Sequence, residues 1–274
     1  MAQQWEIDGP KVLDIGDDSE TVSRVKVALV GGRADIMTHD DSPTARLEVT
    51  EVHGRPLKVS WDGSILKVSH AENEGIFGGI LRRVKGGHHS ARIALSVPAS
   101  AAVSLSTVSA EGLVNGVRNS VHANTVSGTL TLDDIDGDVK ANTVSGDVEC
   151  HALVGDLNGN SVSGAMTVEA SRLNNVKLNT VTGDIALDLT HADAKITSNS
   201  VSGDVTVRVP AGGGYDVTAH TASGQVVIDG QRISLGANHQ GGSLSSGDRS
   251  LVVKANAVSG NVVVLHAVAE AAAG

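Results

Sequence analysis

Aromatic side chains are nearly missing from this chain: Trp5, Trp61, Phe77 and Tyr215 are the only four in 274 residues. An ordinary globular core fills its large irregular spaces with such rings, so the 40% hydrophobic content, almost all Val, Ile, Leu and Ala, points to a narrow, layered core. Their scarcity also removes the stacking platforms that single-stranded nucleic-acid binders use. Positive charge is in the minority, 21 Lys and Arg against 31 Asp and Glu, and a net charge of −10 disfavours the phosphate neutralisation that drives nucleic-acid binding. One cysteine, Cys150, permits no internal disulfide. Five prolines exclude a Pro-rich linker protein. No stretch approaches the roughly 20 apolar residues of a membrane span. The opening Met1-Ala2-Gln3-Gln4-Trp5-Glu6 has neither a basic nor an apolar export segment, so the expected location is cytoplasmic or membrane-peripheral.

What is abundant is glycine, 32 residues, and much of it recurs in one phrase. Asn124-Thr125-Val126-Ser127-Gly128 is followed by Asn142-Thr143-Val144-Ser145-Gly146, Asn160-Ser161-Val162-Ser163-Gly164, Asn179-Thr180-Val181-Thr182-Gly183 and Asn199-Ser200-Val201-Ser202-Gly203. Then come His220-Thr221-Ala222-Ser223-Gly224 and Asn256-Ala257-Val258-Ser259-Gly260. The glycines are 18, 18, 19, 20, 21 and 36 residues apart, and Asn238-His239-Gln240-Gly241-Gly242 reads as a degraded copy within the last gap. A period near 20 means a stacked repeat architecture.

Two and four residues after each glycine stand apolar pairs such as Leu130/Leu132, Val148/Cys150 and Val205/Val207, with polar residues between them. That alternation is the strand period. Seven residues before the glycines stand Val121, Val139, Leu157, Val176, Ile196, Val217 and Val253, which supply a second strand per coil. The chain therefore reads as an all-β, parallel β-solenoid of about 18–21 residues per coil; two-sided and three-sided coils both remain open. Residues 101–266 form the regular coils, residues 1–100 a less regular β-rich part that caps the open end, and 267–274 a flexible tail. Val126, Val144, Val162, Val181 and Val201 are expected to form one buried stack, with the neighbouring Ser and Thr hydroxyls on the outer face. Asn124, Asn142, Asn160, Asn179 and Asn199 are expected to form a ladder of side-chain amides. Each glycine is expected to allow the bend between faces.

A segment inserted at 73–90 breaks the strand pattern. Ile76, Phe77, Ile80 and Leu81 gather beside Arg82, Arg83 and Lys85, the most basic spot in an acidic chain. It reads as a contact site for a protein or a membrane surface, or as a clasp that buries its own apolar residues. His88-His89 lacks a Cys or carboxylate at ligand spacing, and Cys150 falls on an inward position, so neither suggests a site.

The N-[TS]-V-S-G-D-V phrase resembles a bacterial family of β-strand-repeat proteins, known as candidate adhesins and grouped as toastrack domains. The resemblance runs from the strands near Val25 through Val264, and includes the Val97-Pro98 strand end and the basic–apolar loop before it. It implies a β-solenoid without known catalytic residues, in a setting of cell-envelope stress or adhesion. A non-catalytic scaffold for a protein or membrane-associated partner is the reading that follows, with no cofactor and no metal. Three other classes fit the residues less well. A calcium β-roll places its carboxylate two residues after a glycine, whereas Asp147, Asp184 and Asp204 follow directly; a carbohydrate-binding solenoid wants aromatics that are missing here. A left-handed hexapeptide acyltransferase needs an aliphatic residue every six positions, and Asp138, six before Val144, breaks that rule.

Overall fold

The computed structural model describes residues 2–17, 20–70, 89–210, 214–233 and 240–266. They form strands joined by tight corners, in two compact units divided near residue 140. In each unit a coil contributes one strand to each of two sheets, here called A and B, so the coil is two-sided. Val, Leu and Ile from both sheets fill the space between them and are almost completely buried.

The first unit holds residues 1–140 with 145–147. Its coils are stacked in parallel register. In sheet A, Ala102–Thr107 lies between Arg24–Leu29 and Val121–Thr125. In sheet B, Glu111–Asn115 lies between Gly31–His39 and Leu130–Asp133. The coil that starts at Arg24 thus stacks directly beneath one that starts at Ala102. Ile65–Ser69 and Ser90–Pro98 add to the first coil in parallel. Leu57–Trp61 and Ala45–His53 then turn antiparallel, and Gln3–Ile7 and Lys11–Ile15 form the outermost strands. An exposed parallel edge is a template for unwanted pairing, and antiparallel strands that fold back over it blunt that edge. Trp61 fills the core at this end and donates its indole N–H to Glu20 at 2.7 Å.

The second unit holds residues 141–144 and 148–274. Val154–Ser161, residues 172–180 and Lys195–Ser200 follow one another in sheet A. Val148–His151, residues 166–171, Ile185–Leu189 and Val205–Val209 do so in sheet B. The next neighbours are out of chain order. Leu251–Ala257 pairs in parallel with Lys195–Ser200 on one side and Tyr215–Thr221 on the other. Val262–His266 sits likewise between Val205–Val209 and Val226–Ile228. The coil of residues 251–266 is therefore wedged between two earlier ones.

Residues 240–242 correct an expectation. Gln240–Ser246 is antiparallel to Tyr215–Thr221, with Gln240 opposite Thr221, and Gln231–Ile233 is antiparallel to Val226–Ile228. The Gln240-Gly241-Gly242 stretch is part of an end cap and not a degraded rung, because the outermost coil needs its parallel edge covered.

Candidate interaction surface

The repeat phrase builds one corner of each coil, where the chain leaves sheet A. Along Val121–Thr125 burial alternates, so Val121, Ala123 and Thr125 point inward. The same parity holds through Lys195–Ser200 and Tyr215–Thr221. It sends the Thr or Ser of the phrase into the core: Thr125, Thr143, Ser161, Thr180, Ser200 and Thr221 are all buried.

The valine that follows therefore points out, which overturns the expected buried stack. Val144, Val162, Val181, Val201 and Val258 are 39–53% exposed, and Val126 is half-buried. Strand parity outweighs the hydrophobicity of a single position, because a one-residue shift would move every inward side chain to the wrong face. The buried hydroxyls find partners within the corner. Thr180 accepts the Gly183 N–H at 2.9 Å and Thr221 accepts that of Gly224 at 3.1 Å, while Ser200 donates to the Gly203 carbonyl at 2.7 Å. Thr125, Ser161, Thr180, Ser200 and Thr221 are thus each tied to the glycine of their own phrase, three residues on.

The glycines serve close approach. A Cβ on Gly203 would stand 2.0 Å from the Gly183 carbonyl oxygen, and one on Gly260 would stand 2.1 Å from that of Gly203. Neither has a positive φ, so the expected conformational role gives way to a steric one.

Three exposed or half-exposed rows flank this corner in the second unit. The first is the amide ladder: Asn160 donates to Asn142 at 2.9 Å, Asn179 to Asn160 at 2.9 Å, Asn199 to Asn179 at 2.9 Å and Asn256 to Asn199 at 3.0 Å. In the first unit Asn124 donates to Ser106 at 3.3 Å. The second is the valine row. The third is a hydroxyl row, in which Ser163 donates to the Val144 carbonyl, Ser202 to that of Val181 and Ser259 to that of Val201. Beyond the glycines, Asp204 accepts the Asn261 N–H at 2.7 Å, and Asp184 accepts the Asp204 N–H at 2.8 Å. These carboxylates are committed to the next rung's backbone, and among the described residues no group of three His, Cys, Asp or Glu side chains is placed to hold a metal ion.

The segment with Ile76, Phe77, Ile80, Leu81, Arg82, Arg83 and Lys85 lies outside the described residues, as does His88. His89 accepts the Arg55 N–H at 3.1 Å. Cys150 is buried and its thiol is pushed up to about 12 by loss of hydration, which makes it inert.

One cluster has no counterpart in the sequence reading. Tyr215 donates to Asp229 at 2.8 Å, the His266 ring nitrogen Nδ1 lies 2.8 Å from both oxygens of the same carboxylate, and the Tyr215 and His266 rings meet tilted by 49° with their centroids 4.8 Å apart. Burial, and then the Asp229 carboxylate, raise the Tyr215 hydroxyl to about 12. Burial also raises Asp229, but the bonds from Tyr215 and His266 outweigh it and hold the carboxyl below its ordinary value. Asp229-Gly230 is legible as a hairpin turn, with φ of 49° and 76°; residues 14 and 37 positions away are not legible as its partners.

Solved structures of low sequence similarity align with most of this chain. A candidate lipid-binding protein from Parabacteroides distasonis is 14% identical, with 94% of this chain and 97% of that one covered and a TM-score of 0.51. A candidate cell adhesion protein from Clostridium sporogenes is 15% identical over 94% and 100% of the two chains, with a TM-score of 0.30. A candidate adhesin from Parabacteroides distasonis is 13% identical over 94% and 99%, with a TM-score of 0.43. No curated protein matches the chain. The Toastrack DUF4097 family model matches residues 36–265, which spans both units and every copy of the repeat phrase, and the chain belongs to that family.

Proposed function

We propose that this chain is a non-catalytic scaffold whose coil corner in the second unit is a recognition surface for a protein partner, in the setting of the cell envelope or of adhesion. The observation that carries this reading is the outward valine row. Val144, Val162, Val181, Val201 and Val258 stand in successive rungs, each bordered by a hydroxyl row and an amide ladder. Aligned apolar side chains with satisfied polar groups on both flanks offer a partner apolar contact without a cost for stripping water from unpaired groups. The ladder serines spend their protons on backbone carbonyls, which leaves them unsuited to act as nucleophiles.

The name of the Parabacteroides distasonis structure with a TM-score of 0.51 speaks of lipid binding, and it supports a binding role. The apolar and basic residues of 76–85 are compatible with a partner found at a membrane. Capture of a partner from native envelope extracts by the full chain, by Val162→Asp/Val201→Asp and by Phe77→Ser/Arg82→Glu tests the reading. Loss of the partner with the valine pair, at unchanged melting temperature, is the expected result. Retention of the partner by that variant overturns the corner as the recognition surface, and loss only with the 77/82 pair transfers the role to that segment. Sedimentation of the chain with anionic vesicles in the absence of protein would instead identify a lipid surface as the ligand.

A further inference from the structure

We propose that the C-terminal coil, residues 251–266, is an exchangeable element through which two copies of this chain join, the coil of each inserting into the slot of the other. The slot is defined by strand pairing. Without Leu251–Ala257 and Val262–His266, four strands would face open parallel edges: Lys195–Ser200 and Tyr215–Thr221 in sheet A, Val205–Val209 and Val226–Ile228 in sheet B. A coil that follows its predecessor in chain order has one such edge to join. This one joins two at once.

The slot specifies its occupant. It requires two strands with inward apolar residues in the register of Leu251, Val253, Ala255, Val262 and Val264, all of which are buried. It requires an amide over Asn199, supplied by Asn256, and a side chain between Asp204 and Gln225, supplied by Asn261. The Asn261 side-chain amide lies 3.2 Å from both Asp204 oxygens, and its carbonyl oxygen accepts the Gln225 N–H at 3.0 Å. A second copy of this chain carries all of these at the right spacing. The Tyr215–Asp229–His266 cluster closes the slot on the inserted coil, and its bonds form equally well when His266 arrives from another copy.

The hinge is the four-residue turn 247–250. Gly247 and Arg249 are both left-handed, with φ of 62° and 59°, and Asp248 holds the turn shut by accepting the N–H groups of Gly214 and Ser250, both at 3.1 Å. Arginine gains nothing in that conformation, and a short hinge under strain favours exchange between copies. Opening the turn sacrifices those two bonds and the one that Ser250 Oγ donates to the Gly214 carbonyl at 3.3 Å.

The experiment uses full-length chains. Asn199 and Asn256 are direct register partners, and neighbouring strands about 4.8 Å apart bring two cysteines within disulfide reach. Single variants Asn199→Cys and Asn256→Cys are mixed, unfolded in urea with reductant, refolded together at high concentration and oxidised. A disulfide-linked heterodimer is expected, well above the amount formed by the mismatched pair Asn160→Cys and Asn256→Cys. The double variant Asn199→Cys/Asn256→Cys, refolded at high dilution, should close its disulfide within one chain. No excess of heterodimer over the mismatched mixture, with the double variant closing normally, overturns exchange. Failure of the double variant to close overturns the slot itself.

Discussion

Asn256 donates its side-chain amide to Asn199 at 3.0 Å across 57 residues of chain, whereas Asn199 donates to Asn179 across only 20. The ladder continues without interruption while the chain does not. The next phrase in the sequence offers His220 at the asparagine position, and an imidazole, with one N–H and one lone pair fixed on a rigid ring, does not reproduce the carbonyl and NH2 group of a stacked amide. Wedging 251–266 beside the 195–209 coil keeps amide on amide and moves His220 one rung outward, where it is exposed.

Asn160 both donates to Asn142 and accepts from Asn179. Asn160→Ala should lower unfolding stability by roughly 1–2 kcal/mol, because it leaves two half-buried amides each short of a partner. Urea unfolding checks this, with a lower midpoint at unchanged slope as the expected outcome.

Val162 is 47% exposed and the preceding Ser161 is buried. Val162→Asp should therefore change stability by less than about 0.5 kcal/mol. Val205→Asp, at a fully buried position, should cost several kcal/mol through an unpaired carboxylate. Parallel thermal melts compare the two, and a reversed order would mean that the strand parity is wrong.

A methyl group on Gly203 would meet the Gly183 carbonyl oxygen at 2.0 Å, and that neighbour is backbone. Gly203→Ala should cost about 2–3 kcal/mol, the upper range for overpacking. Gly9→Ala, with nothing within 4 Å, should be close to neutral. Chemical denaturation of the two variants gives the comparison.

His70 is 7% exposed, and burial, followed by repulsion from His89, pushes it down to about 4 from an ordinary 6.5. Between those values the unfolded chain binds a proton that the folded chain does not, so stability falls as pH drops from 6.5 to 4 and is level above 6.5. The shift sets an upper limit of about 3 kcal/mol on the loss. His70→Gln should flatten this part of the stability–pH curve, measured by urea midpoints from pH 4 to 8.

Much of the fold was legible because a solenoid repeats its physics. Most rungs repeat an inward aliphatic residue, a glycine at the corner and an amide on its neighbours, so the requirement is written nearly once per coil. Asn142, Asn160, Asn179 and Asn199 could be aligned from spacing alone, and the period-2 alternation placed strands around Leu130, Val148 and Val205. The phrase also held the answer to which of Thr125 and Val126 points inward. Counting by two from Val121 reaches Thr125, but a buried hydroxyl makes sense only once its bond to the Gly128 N–H, at 3.0 Å, is seen.

The sequence by itself determined that this chain stacks short strands in coils of about 20 residues, and which residues repeat from rung to rung. Only the tertiary structure decided the order of stacking at the ends. The early coil of Arg24–Leu29 and Gly31–His39 carries no copy of the phrase, yet it lies beneath the coil of Ala102–Thr107 and Glu111–Asn115. The coil of 251–266 enters a slot whose far side was laid down before it. Local pattern specifies what a strand can pair with, and every parallel edge in this molecule accepts the same kind of strand. Which edge receives which coil is settled by covering the open edges with antiparallel strands and by contacts such as Tyr215, Asp229 and His266, which meet only after the chain has folded.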